Sequence, residues 1–190
     1  VVPAVTPGCE WVLLGEGVPT RKWDGTACLI RGGRLFKRYD CKRGRKPPEG
    51  FEPCEPEPDA QTGHWPGWVP VGEGPEDRYF REALQNLECE CSLDELPIEA
   101  TYELCGPKIN GNPEGFSSHV LIPHGRWVLP DFPRTYECIR QFLETPLVIC
   151  GVEWFIEGIV WWHPDGRKAK VKRRDFGLPW PFRKDQSGYG

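Results

Sequence analysis

The sequence predicts an α+β domain dominated by antiparallel sheet. Three observations carry this: short apolar runs flank glycine turns, only two segments show a helical stripe, and no β-α-β alternation runs through the 190 residues. Residues 27–30 and 34–39 flank Gly32-Gly33, which is a hairpin signal. Residues 10–14 form an apolar, strand-like opening. Residues 101–105 read as a strand ending at Gly106-Pro107, and 120–122 as another ending at Pro123-His124-Gly125. Strand signals return at 158–162 and 168–173, joined by the turn His163-Pro164-Asp165-Gly166. One helix is predicted over 76–88, with Tyr79, Phe80, Ala83, Leu84 and Leu87 on one stripe. A second is predicted over 133–145, with Tyr136, Ile139, Phe142 and Leu143 inward and Pro133 in its first turn.

The segment 45–75 is dense in Pro, Gly and Glu, which excludes long helices and central strands. Phe51, Trp65 and Trp68 predict that it packs down as an ordered loop. A single domain is therefore expected over 1–190, long enough to bury a sizeable core. A Rossmann fold is disfavoured, and no Gly-x-x-x-x-Gly-Lys string supports a P-loop.

Charge and cysteine usage narrow the function classes. A net charge of -4 argues against a generic polyanion binder. Basic residues nevertheless cluster between Arg31 and Lys46 and between Arg167 and Arg174, with acids concentrated in 49–59 and 88–99. The two clusters either focus positive potential on one surface or form solvated faces balanced by acids. Nine cysteines contain no Cys-x-x-Cys pair, and four histidines show no His-x-x-x-His spacing, so no zinc site is expected. Reduced, mostly buried thiols fit a cytoplasmic protein. No apolar run reaches membrane-spanning length, so no membrane partner is expected.

The most informative string is Arg21-Lys22-Trp23-Asp24-Gly25-Thr26. It offers a lysine nucleophile, a carboxylate two residues on, and a glycine that lets the backbone approach a ligand. Its alternative is a surface turn between strands. A lysine attacking the α-phosphate of a nucleotide must first be deprotonated. It also needs cations for the developing phosphate charge, carboxylates for a divalent metal, and an acceptor for ribose hydroxyls. The chain supplies Glu103 in a strand-like segment and Glu157 just before an apolar strand. Lys170 and Lys172, two residues apart, share one strand face. Singly, each has a plain reading as an edge carboxylate, a turn residue or a solvated face.

In this order the motifs resemble those of the covalent nucleotidyltransferase superfamily of ATP-dependent polynucleotide ligases and mRNA capping enzymes. Lys22-Trp23-Asp24-Gly25 is similar to motif I, whose lysine is nucleotidylated. Residues 38–44 lie where motif Ia places a basic ribose or phosphate contact, with Arg38 first and Lys42 or Arg43 as alternatives. Tyr102-Glu103-Leu104-Cys105-Gly106 looks like the segment whose glutamate meets the ribose. Glu157-Gly158-Ile159-Val160-Trp161 is similar to motif IV, and Lys170-Val171-Lys172-Arg173 to motif V. Within the superfamily the likeness is to the RNA ligase family that includes the vertebrate 5'-to-3' RNA ligase. It rests on the extended strings 103–113, 119–125 and 175–181.

This resemblance implies a sheet-rich, ATP-grasp-like nucleotidyltransferase domain with no OB domain after motif V. It implies ATP as co-substrate, Mg²⁺ or Mn²⁺ as cofactor, and RNA ends as substrate. Oligomeric state is not readable from the sequence, and a monomer is the expectation. Lys22 becomes adenylylated, and Lys170 and Lys172 hold the α-phosphate. Arg21, Asp24, Gly25 and Arg38 join the nucleotide site, and Glu103 takes the ribose. Asp24, Glu103 and Glu157 attend the metal. The adenine-facing position of motif III is usually aromatic. Here alternation along 119–122 makes His119 and Leu121 the candidates. The competing readings are a DNA nick ligase, a GTP-using capping-type enzyme, and an inactive nucleotide- or RNA-binding module.

Overall fold

The computed structural model describes residues 2–90, 96–132, 134–149 and 151–181. In chain order its helices are α1 (Glu10–Leu13), α2 (Arg78–Glu90) and α3 (Tyr136–Glu144). Its strands are β1 (Val18–Lys22), β2 (Thr26–Arg31), β3 (Arg34–Cys41), β4 (Glu52–Pro53), β5 (Trp65–Pro70), β6 (Glu99–Cys105), β7 (Val120–Pro123), β8 (Leu147–Ile149), β9 (Val152–Trp154), β10 (Gly158–Trp162) and β11 (Lys168–Lys172). Contacts divide the chain into two compact units. One takes the residues up to Trp23 and from Gly125 onward; the other is Asp24–His124. The α+β, antiparallel character read from the sequence is what the strands show.

The Asp24–His124 unit is built on a six-stranded sheet of order β4-β5-β3-β2-β6-β7. The predicted hairpin is β2–β3, closed where Arg31 faces Arg34. Gly32 and Gly33 turn it at φ 54° and 70°, a left-handed pair that favours glycine. One sheet face presents Cys28, Ile30, Leu35, Tyr102, Leu104 and Leu121 to α2, which covers them with Phe80, Ala83, Leu84 and Leu87. That is the stripe expected from helical spacing. Burying it is the main stabilisation of this helix.

The proline-dense segment departs from expectation. Trp65–Pro70 runs beside β3 as an inner strand, with β4 outside it. The prolines stand at its second and last positions, whereas β4 pairs only with Gly67 and Trp68. A missing N–H there removes no bond to β4. Phe51 meets Trp65 edge-on at 5.5 Å, so the segment does pack down, partly as sheet rather than loop alone.

The other unit carries an antiparallel sheet of order β1-β10-β11. Ile159, Trp161, Ala169 and Val171 lie on its core side with Trp11, Val12, Leu129, Phe132, Ile139, Leu143 and Ile156. The helix predicted over 133–145 begins at Tyr136, after Thr135 Oγ1 accepts the Cys138 N–H at 3.4 Å. Pro133, expected in the first turn, lies outside the described residues. Residues 10–14 are not a strand but the short helix α1. Adjacent Trp11 and Val12 are both buried while Leu13 and Leu14 are exposed, so the run lacks the alternation a half-buried strand needs. The hairpin β8–β9 carried no signal in the sequence reading.

Among the described residues, no helix is long and apolar enough to cross a membrane. The seven described cysteines are unbridged; Cys28, Cys41 and Cys105 are buried, Cys54, Cys89 and Cys138 exposed. Mostly buried thiols were expected, and only three of the seven are.

Candidate active site

Lys22 closes β1, and the strand register decides its neighbours. Lys22 pairs with Gly158, and Gly158 pairs with Lys172. Lys22 and Lys172 therefore flank a glycine in one row of the sheet, on one face. The next row is Thr20, Val160 and Lys170, on the same face. Gly158 is required by space: a Cβ there would stand 2.1 Å from the Val171 carbonyl oxygen and 2.9 Å from Lys172 Cα. Glu157, one residue before that row, forms an ion pair with Lys22 Nζ. The two side chains keep only 20% and 12% of their surface exposed. Lys22 Nζ also donates to the Trp23 carbonyl at 3.2 Å. Lys170 is exposed and Lys172 half-buried. Lys22, Lys170 and Lys172 thus belong to one sheet, and Glu157, just before β10, to the same unit.

Arg21 lies on the opposite face of β1 from Lys22, since alternate residues point apart. It is 6% exposed. Its guanidinium stacks 3.7 Å over the Trp23 ring and 5.2 Å from that of Trp127. The sequence places it among nucleotide contacts; the structure puts it on the face of β1 opposite Lys22.

In the Asp24–His124 unit a second cluster forms around Glu103. Glu103 Oε1 accepts the Gly25 N–H at 3.0 Å, and its Oε2 lies 2.8 Å from His124 Nε2. His124 Nδ1 is in turn 3.0 Å from Thr101 Oγ1. Gly25 is tightly enclosed, since a Cβ would stand 2.1 Å from the Leu104 carbonyl oxygen. Asn110 donates to Asp24 Oδ1 at 2.9 Å and to the Gly25 carbonyl at 2.8 Å. Buried Glu114 accepts the Asp24 N–H at 2.9 Å. Asn110, Gly111 and Asn112 all have positive φ, of 49°, 77° and 58°. Such a run suits Asn and Gly and aims the Asn110 amide at motif I. Asn110, Glu114 and His124 were not weighed as site residues. The Asn-Gly-Asn string was the available signal for the first of them.

The register corrects the expected base contacts. Ala27, Glu103 and Ile122 share one sheet face, as do Cys105 and Val120. Leu121 pairs with Leu104 on the face that α2 covers. His119 is 3% exposed and stacks on Tyr79 at 4.5 Å. Its Nδ1 lies 2.8 Å from Glu82, and its Nε2 accepts the Lys108 N–H at 3.3 Å. His119 and Leu121 therefore serve the core, on the side away from Glu103. Alternation was read correctly but in the wrong phase.

Arg38 is exposed on β3, on the Glu103 face and two strands away, donating to Cys54 Sγ at 3.2 Å. Lys42 and Arg43 lie beyond the end of that strand, also exposed. The second basic cluster is partly structural. Arg173 is 3% exposed, and its donors go to the Pro179 and Leu143 carbonyls. Burial pulls its guanidinium below the usual arginine range.

The carboxylates at Asp24, Glu103 and Glu157 are hard oxygen donors suited to Mg²⁺. Among the described residues, however, no three acidic, His or Cys side chains gather into a metal cluster. Both Glu103 oxygens already have protein partners. Carboxylates of this kind suit an ion held chiefly by phosphates and water rather than by a protein cage.

A family model described as RNA ligase 1 matches residues 78–187, more than half of the chain. The match spans Glu103, Glu157, Lys170 and Lys172 but begins after Lys22. An RNA ligase 1 of Pongo abelii is 29% identical over 231 aligned residues, covering 88% of this chain and 69% of the relative. One of Mus musculus is 34% identical over 152 residues, covering 67% and 45%. One of Danio rerio is 32% identical over 156 residues, covering 66% and 44%. The chain thus spans between 44% and 69% of these relatives.

Proposed function

Because the chain belongs to the RNA ligase 1 family, we propose that it is an ATP-dependent ligase that joins a 5'-phosphate RNA end to a 3'-hydroxyl. The observation that carries this reading is the row Lys22–Gly158–Lys172, with Glu157 paired to Lys22. A lysine held beside a carboxylate and a second lysine suits attack on an anionic phosphate.

In the first step the neutral Lys22 amine bonds to the α-phosphorus of ATP. The bond to the bridging oxygen breaks, pyrophosphate leaves, and a lysyl-AMP phosphoramidate remains. The proton lost from Lys22 needs an acceptor, and Glu157 is the carboxylate at hand. Lys172 and Lys170 counter the charge that builds on the phosphate oxygens. In the second step the RNA 5'-phosphate takes the AMP and frees Lys22. In the third the 3'-hydroxyl attacks that activated phosphate, forms the phosphodiester and expels AMP.

Glu103 is assigned to the ribose, held ready by Gly25 and His124. Arg38 shares its sheet face and is assigned to ribose or phosphate. Val120 and Ile122 replace His119 and Leu121 as the base-facing candidates of β7. A divalent ion bound with ATP would supply charge neutralisation at the phosphates, and Glu157 and Asp24 are the carboxylates that the family resemblance assigns to it. The reading takes 1–190 as one nucleotidyltransferase domain, acting as a monomer.

The test is covalent labelling with α-labelled ATP and Mg²⁺ or Mn²⁺, followed by RNA with defined ends. Wild type should label and Lys22→Ala should not. A Lys22→Ala variant that still labels removes the central claim. Labelling by GTP instead, or transfer only to nicked DNA, would select the capping-type or DNA-ligase reading. No adduct with either metal would leave a binding module.

A further inference from the structure

We infer that Arg21, Trp23 and Trp127 form a clamp that positions Lys22 for attack without touching ATP. The inference rests on the proposed ligase reading and adds residues that it leaves unused. It starts from alternation: Arg21 and Trp23, the two neighbours of Lys22, project to the face opposite its side chain. There the Arg21 guanidinium carbon lies over the Trp23 ring, 3.7 Å from its centroid. Trp127 closes the set, with its ring 5.4 Å from that of Trp23 in an edge-on contact. Arg21 and Trp23 are 6% and 8% exposed, and Trp127 is 41% exposed.

The backbone locks two of the three, Arg21 and Trp127. The Arg21 N–H donates to the Trp127 carbonyl at 2.9 Å, and the Leu129 N–H to that of Pro19 at 2.9 Å. Thr20 and Val128 form a bridge between them. Residues 127–129 therefore line the free edge of β1 and fix Trp127 in register with Arg21. Guanidinium–indole stacking of this kind is attractive and strengthens when it is desolvated, as it is here.

The consequence falls on Lys22. Rotating the backbone at Lys22 would swing Trp23 away from Arg21, so the stack resists that motion. The Trp23 carbonyl is also an acceptor for Lys22 Nζ at 3.2 Å. The clamp thus sets both the direction of the lysine side chain and one of its polar contacts. An in-line attack tolerates little error, and a displacement of about 1 Å can cost on the order of 100-fold in rate.

The experiment separates positioning from ATP contact. Full-length wild type, Trp127→Ala, Trp127→Phe, Arg21→Lys and Arg21→Ala are compared by single-turnover lysyl-AMP formation across ATP concentrations. Affinity for a non-reacting α,β-methylene ATP is measured in parallel. Trp127→Ala and Arg21→Ala should lose about 10–100-fold in the maximal adduct rate, with analogue affinity within about twofold of wild type. Trp127→Phe should restore most of the rate, since it keeps an aromatic edge against Trp23. Arg21→Lys should not, since it keeps charge but loses the planar stack. Weakened analogue binding with an unchanged maximal rate would make Arg21 an ATP contact and overturn the clamp. Wild-type rates in both alanine variants would overturn it as well. Should an alanine variant fail to fold, Trp127→Phe and Arg21→Lys decide: equal loss in both, or none in either, overturns the proposal. A wild type that forms no adduct is a different failure and sinks the ligase reading itself.

Discussion

Replacing Gly158 by alanine probes the row that joins Lys22 to Lys172. The new methyl would stand 2.1 Å from the Val171 carbonyl oxygen, about 0.9 Å inside the 3.0 Å that real Cβ contacts respect. The obstacle is backbone, not a flexible side-chain tip, and β10 is the central strand of its sheet. Relief requires β11 to slide away from β10, and Lys172 moves with it. Overpacking of this kind costs about 2 kcal/mol, which for a chain of this size lowers Tm by roughly 4–8 °C. On the proposed reading the rate of lysyl-AMP formation should fall further than stability alone explains, because the displaced residue is Lys172, assigned there to the phosphate. Thermal denaturation followed by circular dichroism reads the first effect, and single-turnover labelling with α-labelled ATP reads the second. A Gly158→Ala protein with wild-type Tm and labelling rate would refute the tight β10–β11 ladder and the role of Lys172 built on it.

Two further outcomes follow from the titrating groups. Burial first, and the Glu103 carboxylate second, push the Cys28 thiol far above its usual range. Native protein treated with iodoacetamide at about pH 8 should therefore label Cys54, Cys89 and Cys138 and leave Cys28 unmodified until denaturant is added, as read by peptide mass mapping. Labelling of Cys28 at the rate of Cys54 would contradict its placement. The backbone N–H of Arg167, then its guanidinium, with His163 adding to them, hold the Asp165 carboxyl down to about 2. Because the folded value lies below the ordinary carboxylate value, whatever Asp165 contributes to the β10–β11 turn is present above that ordinary value and lost as pH falls through about 2. A side-chain NMR titration should place its midpoint near 2; a midpoint in the ordinary range would show the turn contacts to be absent in solution.

Much of the fold was legible because its signals are local. Gly32-Gly33 between two apolar runs could only close tightly, and the 3.6-residue stripe of α2 could only be buried on one side. Other features depend on packing or pairing that the local sequence does not display. Prolines at 66 and 70 look hostile to a strand until β4 is seen to pair only with Gly67 and Trp68. Trp11 and Val12 look strand-like until their burial side by side is known. Alternation along 119–122 is visible in the sequence, but which phase faces Glu103 is set by the Glu103–Ile122 and Leu104–Leu121 pairs. The site divides in the same way. Lys22, Glu157, Lys170 and Lys172 could be picked by type and order. Asn110, Glu114 and His124 act through hydrogen bonds to Asp24, Gly25 and Glu103, and only folding reveals those. Arg21 could not be placed from sequence, since its chemistry suits an anion or an aromatic face equally.

The pairing of Lys22 with Glu157 also has a bearing on how the chain matures. The two residues are 135 positions apart, and the whole Asp24–His124 unit lies between them in the chain. Synthesis runs from the amino end, so that continuous unit is complete on emergence while β1 still waits for β10 and β11. Lys22 is made before the Asp24–His124 unit and gains its native surroundings only after that unit is complete. A ribosome-bound or prematurely ended product lacking residue 157 has the motif but no carboxylate partner for it. Formation of the Lys22–Glu157 pair then reports synthesis through residue 157, not merely the presence of the lysine string.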